Sequence, residues 1–498
     1  MSEPLDYSRM DRRTFLATAS GSTALVAGCL KLAGDSQRSS NETGSAGHEP
    51  GSVPADRDVA SPLEDVPTVV DFETAPLSAA VVGGRFSTAD GLRLEIDLAA
   101  PATNDSPARL TAVIENGRPF AQTFRPRRLV VLDDPPLSRD DEGGIVYLVP
   151  TADHDLVETA PAVDRDADGR WRVASVRDEW FPETITLEGE QRLALEYSLV
   201  GHHDRDEPPI GSGTYRFSRR GDGFSIAIWP TDEPGPTAPS RFADAAVPSI
   251  PDSETAWYHD AGPTTEVSLR PDVESVTAPG AVEFDLVNRA REPMVGNPYR
   301  WRLYKLVDGK WFPVEPWGWP LPAGSITPGE IDETELHLYH GEPIPVDGVR
   351  TVGHLGGGRY AYTVGYSLDD ETHAAMLDLE APTLSIAPES EASVEREGET
   401  IVVRLPNHDD ARRPATFTVT RTDGADGDKR LIEEQLSRRP FRAFRNTLPF
   451  FENGVTEVRL QTDRSTALGP VGYDDGGTRT VTYGGTAFEA TGRVLEQP

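Results

Sequence analysis

The sequence is poorest in cysteine, with one residue, Cys29, in 498. No disulfide can form within one copy of such a chain, and no second thiol is left to serve as a nucleophile. Lysine is nearly as scarce: Lys31, Lys305, Lys310 and Lys429 are the only four among 48 Lys and Arg. Beyond residue 28 no apolar run approaches the roughly 20 residues that a spanning helix needs. Long stretches at helical period are few. Also missing are a Gly-x-Ser-x-Gly elbow, a His-Glu-x-x-His pair and a Walker loop, so the common nucleophile, zinc-protease and phosphate-binding chemistries have no motif here. Paired carboxylates are uninformative in so acidic a chain, which leaves a glycosidase-like pair open.

The N-terminus is laid out as a charged stretch, then small and apolar residues from Phe15 to Gly28, then the lone cysteine. The apolar part is too short to be a stable membrane helix and reads as an export signal. Asp11-Arg12-Arg13-Thr14-Phe15-Leu16 resembles the twin-arginine signal, whose key residues here are Arg12, Arg13, Phe15 and Leu16. Val26-Ala27-Gly28-Cys29 resembles a lipobox. The resemblance implies that residues 1–28 are removed, that Cys29 is lipidated, and that the protein is held by this lipid on the outer face of the cell membrane. Residues 29–70 are rich in Ser, Gly, Asp, Glu and Pro and bury too little to offset chain entropy, so a disordered tether is expected.

The net charge is −34, from 82 acidic against 48 basic residues. A field of this sign repels nucleic acid, which is excluded as a partner. Acidic charge spread over the whole chain, with arginine nearly replacing lysine, resembles proteins of salt-loving archaea, where salt screens the repulsion.

With 45 Gly and 43 Pro, the mature part reads as short strands and turns. Leu92 to Leu98 alternates apolar and polar residues strictly, the mark of a strand with one buried face. A fixed order then recurs. Leu110 to Gly117, Pro119, a strand at Arg128 to Leu132, Asp168-Gly169-Arg170-Trp171, Leu187-Glu188-Gly189-Glu190 and Gly213 to Phe217 make one copy. Ala281 to Asn288, Pro293, Trp301 to Leu306, Asp308-Gly309-Lys310-Trp311, Thr327-Pro328-Gly329-Glu330 and Gly358 to Tyr362 make the second.

The expected fold is all-β, with tandem immunoglobulin-like β-sandwiches at 76–231 and 263–382 joined by a linker at 232–262. A third β-rich unit with a short helix, 390–498, reads as a weaker copy. The order of motifs resembles immunoglobulin-like modules of prokaryotic surface lipoproteins, including the module related to the BsuPI proteinase inhibitor. Resemblance of this kind conveys fold rather than function.

Four groups of residues are candidate sites. Asp164, Asp166 and Asp168 before Gly169 match the first half of a calcium-binding loop, whose second half is missing; a hairpin turn accounts for the same residues, and Ca2+ is the only cofactor indicated. His202, His203, Asp204 and Asp206 hold the donors of a zinc site, yet neighbours on a strand point to opposite faces. Trp301, Trp311, Trp317 and Trp319 form the densest aromatic cluster, read either as a binding surface or as sandwich core. Asn41 and Asn104 head glycosylation-type sequons. Together these point to a non-catalytic surface lipoprotein whose modules space and engage an envelope protein or glycan; an extracellular hydrolase is the alternative.

Overall fold

The computed structural model describes residues 60–63, 66–141, 143–176, 180–204, 207–219, 221–422, 429–452 and 454–495. The export signal, Cys29, the Asn41 sequon, most of the 29–70 segment and Asp206 lie outside the described residues. The fold is all-β in class: strands hold 44% of the chain and helices 8%.

In the first unit, alternation along Leu92–Ala100 buries Leu92, Leu94, Ile96 and Leu98 and leaves Arg93 outside. Its neighbours Ala108–Asn116 and Arg192–Gly201 pair antiparallel in a register that places Leu94 beside Ile114 and Ile114 beside Leu193. Ile145–Pro150 and Trp171–Val173 extend this sheet from Arg192–Gly201. A smaller sheet faces it, ordered Val70–Asp71, Leu77–Val82, Asp222–Pro230, Gly213–Arg219. Val81, Tyr215, Phe217 and Ile226 of the smaller sheet share one core with Ile96, Leu110 and Leu193 of the larger. Each such side chain contributes about 1.5–3 kcal/mol when fully buried.

The strand expected at Arg128 to Leu132 is absent. Two 3-10 turns, Pro126–Arg128 and Val130–Leu132, take its place. Pro126 has no N–H to give a ladder. Val130, Val131 and Leu132 are buried in succession, which a one-faced strand cannot achieve.

In the second unit, Val267–Pro271, Gly280–Asn288, Ile331–Leu338 and Arg350–Val352 form one sheet. The facing sheet runs from Thr372–Glu380 through Gly358–Thr363 and Arg302–Val307 to Lys310–Glu315. Thr255–Trp257 and Ser275–Thr277 both lie parallel to Thr372–Glu380 at its edge. Phe284 and Tyr362 stack between the sheets with ring centroids 4.2 Å apart. A three-stranded piece, Gly324–Ile326, Met294–Gly296 and Tyr366–Ser367, adjoins them.

The 232–262 segment, expected as a linker, is laid down on this unit. Phe242, Ile250 and Trp257 pack against Tyr304, Trp311, Ala361 and Met376 on the outer face of the sheet, and the Trp311 indole donates to the Pro248 carbonyl at 2.8 Å. Three large apolar side chains gain more on this face than in water.

The two Asp-Gly-x-Trp motifs are not equivalent. Asp308 and Gly309, with φ of 48° and 72°, make the tight turn between Arg302–Val307 and Lys310–Glu315. Asp168-Gly169 instead joins Val163–Arg165 to Trp171–Val173, a hairpin on the other type of sheet.

The third unit departs further from the first two. Seven strands form one sheet, in the order Ser393–Glu397, Thr400–Arg404, Glu457–Asp463, Pro414–Thr422, Thr486–Val494, Thr478–Tyr483, Lys429–Arg430. Short helices Glu433–Leu436, Arg442–Arg445 and Arg464–Leu468 contribute Leu436, Phe444 and Leu468 to a core with Phe417, Val419 and Leu460 from the sheet. The edge strand Ser393–Glu397 is exposed at every position.

The units interlock through side chains. Between the first two, the Arg289 guanidinium sits 5.1 Å from the Trp229 ring, and Arg291 pairs with Asp71. Gly329 meets Ala80, Val82 and Ala227 so closely that a Cβ there would stand 3.0–3.3 Å from their side chains. Between the second and third, Glu434 pairs with Lys305, Gln435 donates to the Pro313 carbonyl at 2.9 Å, and Arg438 to the Gly353 carbonyl at 2.6 Å.

Candidate functional site

Of the three aspartates of the half-loop, Asp166 is used by the hairpin through its carboxylate. Asp166 Oδ1 accepts the N–H groups of Asp168 and Arg170 at 3.0 and 2.9 Å, and its Oδ2 accepts from Arg172 at 2.7 Å. Burial alone would raise the Asp166 pKa, but bonds from Arg170, Arg172 and Asp168 outweigh it and hold the carboxyl below its ordinary value. Among the described residues no three His, Cys, Asp or Glu side chains converge where they could hold a metal.

His202 and His203 lie with ring centroids 4.1 Å apart. His202 Nδ1 accepts from the Asp204 N–H at 3.0 Å, while the carbonyls of His202 and Asp204 both accept from Arg172 at 2.9 Å. Burial, then the neighbouring His203, lowers the His202 pKa. The loop is thus fastened to the aspartate hairpin through one guanidinium. Beside it, a cavity of about 310 Å3 is lined by Phe72, Leu77, Trp171, Leu199 and Ile210, with Asp168 and Arg170 also in its wall. Asn104 of the second sequon accepts from Arg165 through its side-chain oxygen at 2.6 Å.

The four tryptophans are divided. Trp311 is buried beneath the 242–257 segment, 5.6 Å from Trp257. Trp317 joins the third unit, edge-on to Phe441 at 4.9 Å. Trp301 and Trp319 are brought together, both lining a cleft of about 550 Å3 on the second unit. That volume lies in the range of about 300–1,000 Å3 common to ligand pockets.

Four segments of the chain build this cleft. Asn297 ties two of them, donating to the Pro320 carbonyl at 2.7 Å and accepting from the Tyr299 N–H at 2.9 Å. Trp319 is thereby held where Arg302 and Arg300 lie 4.8 and 5.8 Å from its ring centre. On the Trp301 side, Arg350 sits 5.6 Å from the ring, and burial lowers its pKa to about 10. The acidic wall comes from Asp252 and Glu254 and from Asp369, Asp370 and Glu371. Asp252, Asp369 and Asp370 have φ of 61°, 57° and 63°, a left-handed conformation that aspartate adopts more readily than most residues. The aromatic part of the cleft was visible in the sequence. Its carboxylates were not, because nothing distinguishes five acids among 82.

No protein-family model matches the chain, and no curated protein matches it.

Proposed function

We propose that the protein is a non-catalytic surface lipoprotein, exported through the twin-arginine route, held by a lipid on Cys29, whose modules act as spacer and interaction domains toward an envelope protein or glycan. The observation that carries this reading is the interlocking of the three units. A spacer must hold its far end at a fixed distance, and joints such as Arg289 on Trp229 and Glu434 with Lys305 resist bending. An immunoglobulin-like character for the first two units is supported by matched tyrosines. Tyr215 donates to the Gly211 carbonyl at 3.1 Å and Tyr360 to the Gly356 carbonyl at 2.6 Å, each four residues back, as in the tyrosine corner of such sandwiches.

The test is fractionation of cells expressing the full chain. The native protein should stay with the membrane fraction and be labelled from outside, and Cys29→Ser should be exported and released to the medium. Retention of Cys29→Ser on membranes after a salt wash, or an internal location for the native chain, would sink the reading.

A further inference from the structure

The cleft on the second unit has a property that narrows what it takes. Carboxylates accept hydrogen bonds and donate none, whereas guanidinium groups donate and accept none. Asp252, Glu254, Asp369, Asp370 and Glu371 line the same cleft as Arg300 and Arg302. Among the described residues none of these seven side chains forms an ion pair within 4.0 Å or a hydrogen bond, although ion pairs occur in all three units. Arg302 Nε is buried without a partner among the described residues. The indole N–H groups of Trp171, Trp311 and Trp317 each find a carbonyl; those of Trp301 and Trp319 find none among the described residues.

We infer that this cleft binds a neutral glycan. A sugar hydroxyl donates one hydrogen bond and accepts two, so a ring of hydroxyls answers both kinds of wall without bringing net charge. The C–H face of the sugar ring packs on the apolar surface of Trp301 and Trp319. An anionic ligand would face five carboxylates against two guanidiniums, and a polyamine would leave the guanidiniums desolvated and unpaired, a costly state. The carboxylates do not converge as a metal site requires.

The inference rests on the interaction-module reading and names the ligand class for it. The full chain is titrated calorimetrically with maltotriose, xylotriose and mannotriose, with spermidine and trigalacturonate as charged arms, and the series is repeated on Arg302→Met and Asp370→Asn. At least one neutral trisaccharide should saturate with a Kd of about 1 mM or tighter, and each substitution should weaken it about tenfold. The same sugar should protect cleft carboxylates of the native chain from carbodiimide labelling, a readout independent of how the variants fold. Saturation by a charged ligand alone, by no trisaccharide, or with indifference to both substitutions and no protection, overturns the assignment. A chain that fractionates as a surface lipoprotein yet binds no sugar removes the cleft assignment only.

Discussion

Asn116 and Asn288 occupy the same place in the first two units, and both are wholly buried. Asn116 Nδ2 donates to the Phe120 and Leu187 carbonyls at 2.8 and 3.2 Å, and its Oδ1 accepts the Arg118 N–H at 3.1 Å. Asn288 Nδ2 donates to the Glu292 and Ile326 carbonyls, both at 3.0 Å, and its Oδ1 accepts the Ala290 N–H at 3.0 Å. One amide therefore pins the end of a central strand to the turn entering the next strand, twice in the chain.

Removing that amide orphans buried carbonyls, at about 1–3 kcal/mol for each unsatisfied group. Asn288→Ala should lower stability by about 2–4 kcal/mol, and Asn288→Asp should be no better, since a carboxylate offers the carbonyls no donor. Urea midpoints at constant slope measure this. A change below about 0.5 kcal/mol would place the amide among ordinary surface groups.

The joint to the third unit is the next point of attack. Glu434 and Lys305 have side chains only 2% and 13% exposed, so Glu434→Ala strands a buried ammonium at a cost of about 3–5 kcal/mol. Lys305→Met combined with Glu434→Ala should recover much of the loss. If the two single effects simply add in the double variant, the pair is not coupled.

His373 is 3% exposed, and among the described residues neither ring nitrogen has a partner. Burial lowers its pKa to about 4, and burial lowers His154 to about 3. The unfolded chain takes up these protons at about pH 6.5 while the folded chain does not. The stability these neutral rings allow is therefore complete above about pH 6.5 and is lost as pH falls toward 4, at about 1.4 kcal/mol per pH unit for each proton. His373→Leu should flatten that limb by one proton relative to the native chain. Parallel pH curves for the two proteins would show that His373 does not titrate on unfolding.

Salt acts on two opposing terms. Exposed pairs such as Arg85 with Glu95 and Arg128 with Asp90 are worth about 0–1 kcal/mol each and weaken in salt. The excess of 82 acids over 48 bases repels across whole faces when the Debye length is about 30 Å at 0.01 M, and only between neighbours at about 3 Å in 1 M salt. Repulsion should dominate, so Tm should rise markedly from dilute buffer to molar KCl. A flat or falling Tm would remove the salt-adapted reading.

Alternation made the strands Leu92–Ala100 and Gly280–Asn288 legible, because a half-buried strand writes its burial into every second residue. The repeat was legible in its asparagine-ended strand, its Gly-Glu turn and its closing tyrosine strand, but not in its middle and not in register. Matching glycines sets Gly189 on Gly329, whereas the structure sets Glu190 on Gly329: both are left-handed, with φ of 64° and 84°, and both N–H groups bond to the asparagine carbonyl. The flanking bonds from Glu188 N–H to Gln191 and Thr327 N–H to Glu330, both 2.8 Å, fix the same offset. Gly189 answers a different need, since a Cβ there would lie 2.6 Å from the Pro119 backbone. Neither the partition of the tryptophans nor the acidic wall of the cleft has a local signature. Both arise from packing between segments far apart in sequence.

The exposed border strand Ser393–Glu397 carries Glu395, Arg396 and Glu397 in a row. Its outward N–H and C=O groups would otherwise be a template on which another chain could extend the seven-stranded sheet. A newcomer must bring side chains complementary to acid, base and acid in turn, and an identical strand laid against it in register, or two residues out of it, meets like charges. In those registers this order of charges, rather than the shape of the sheet, opposes pairing between copies.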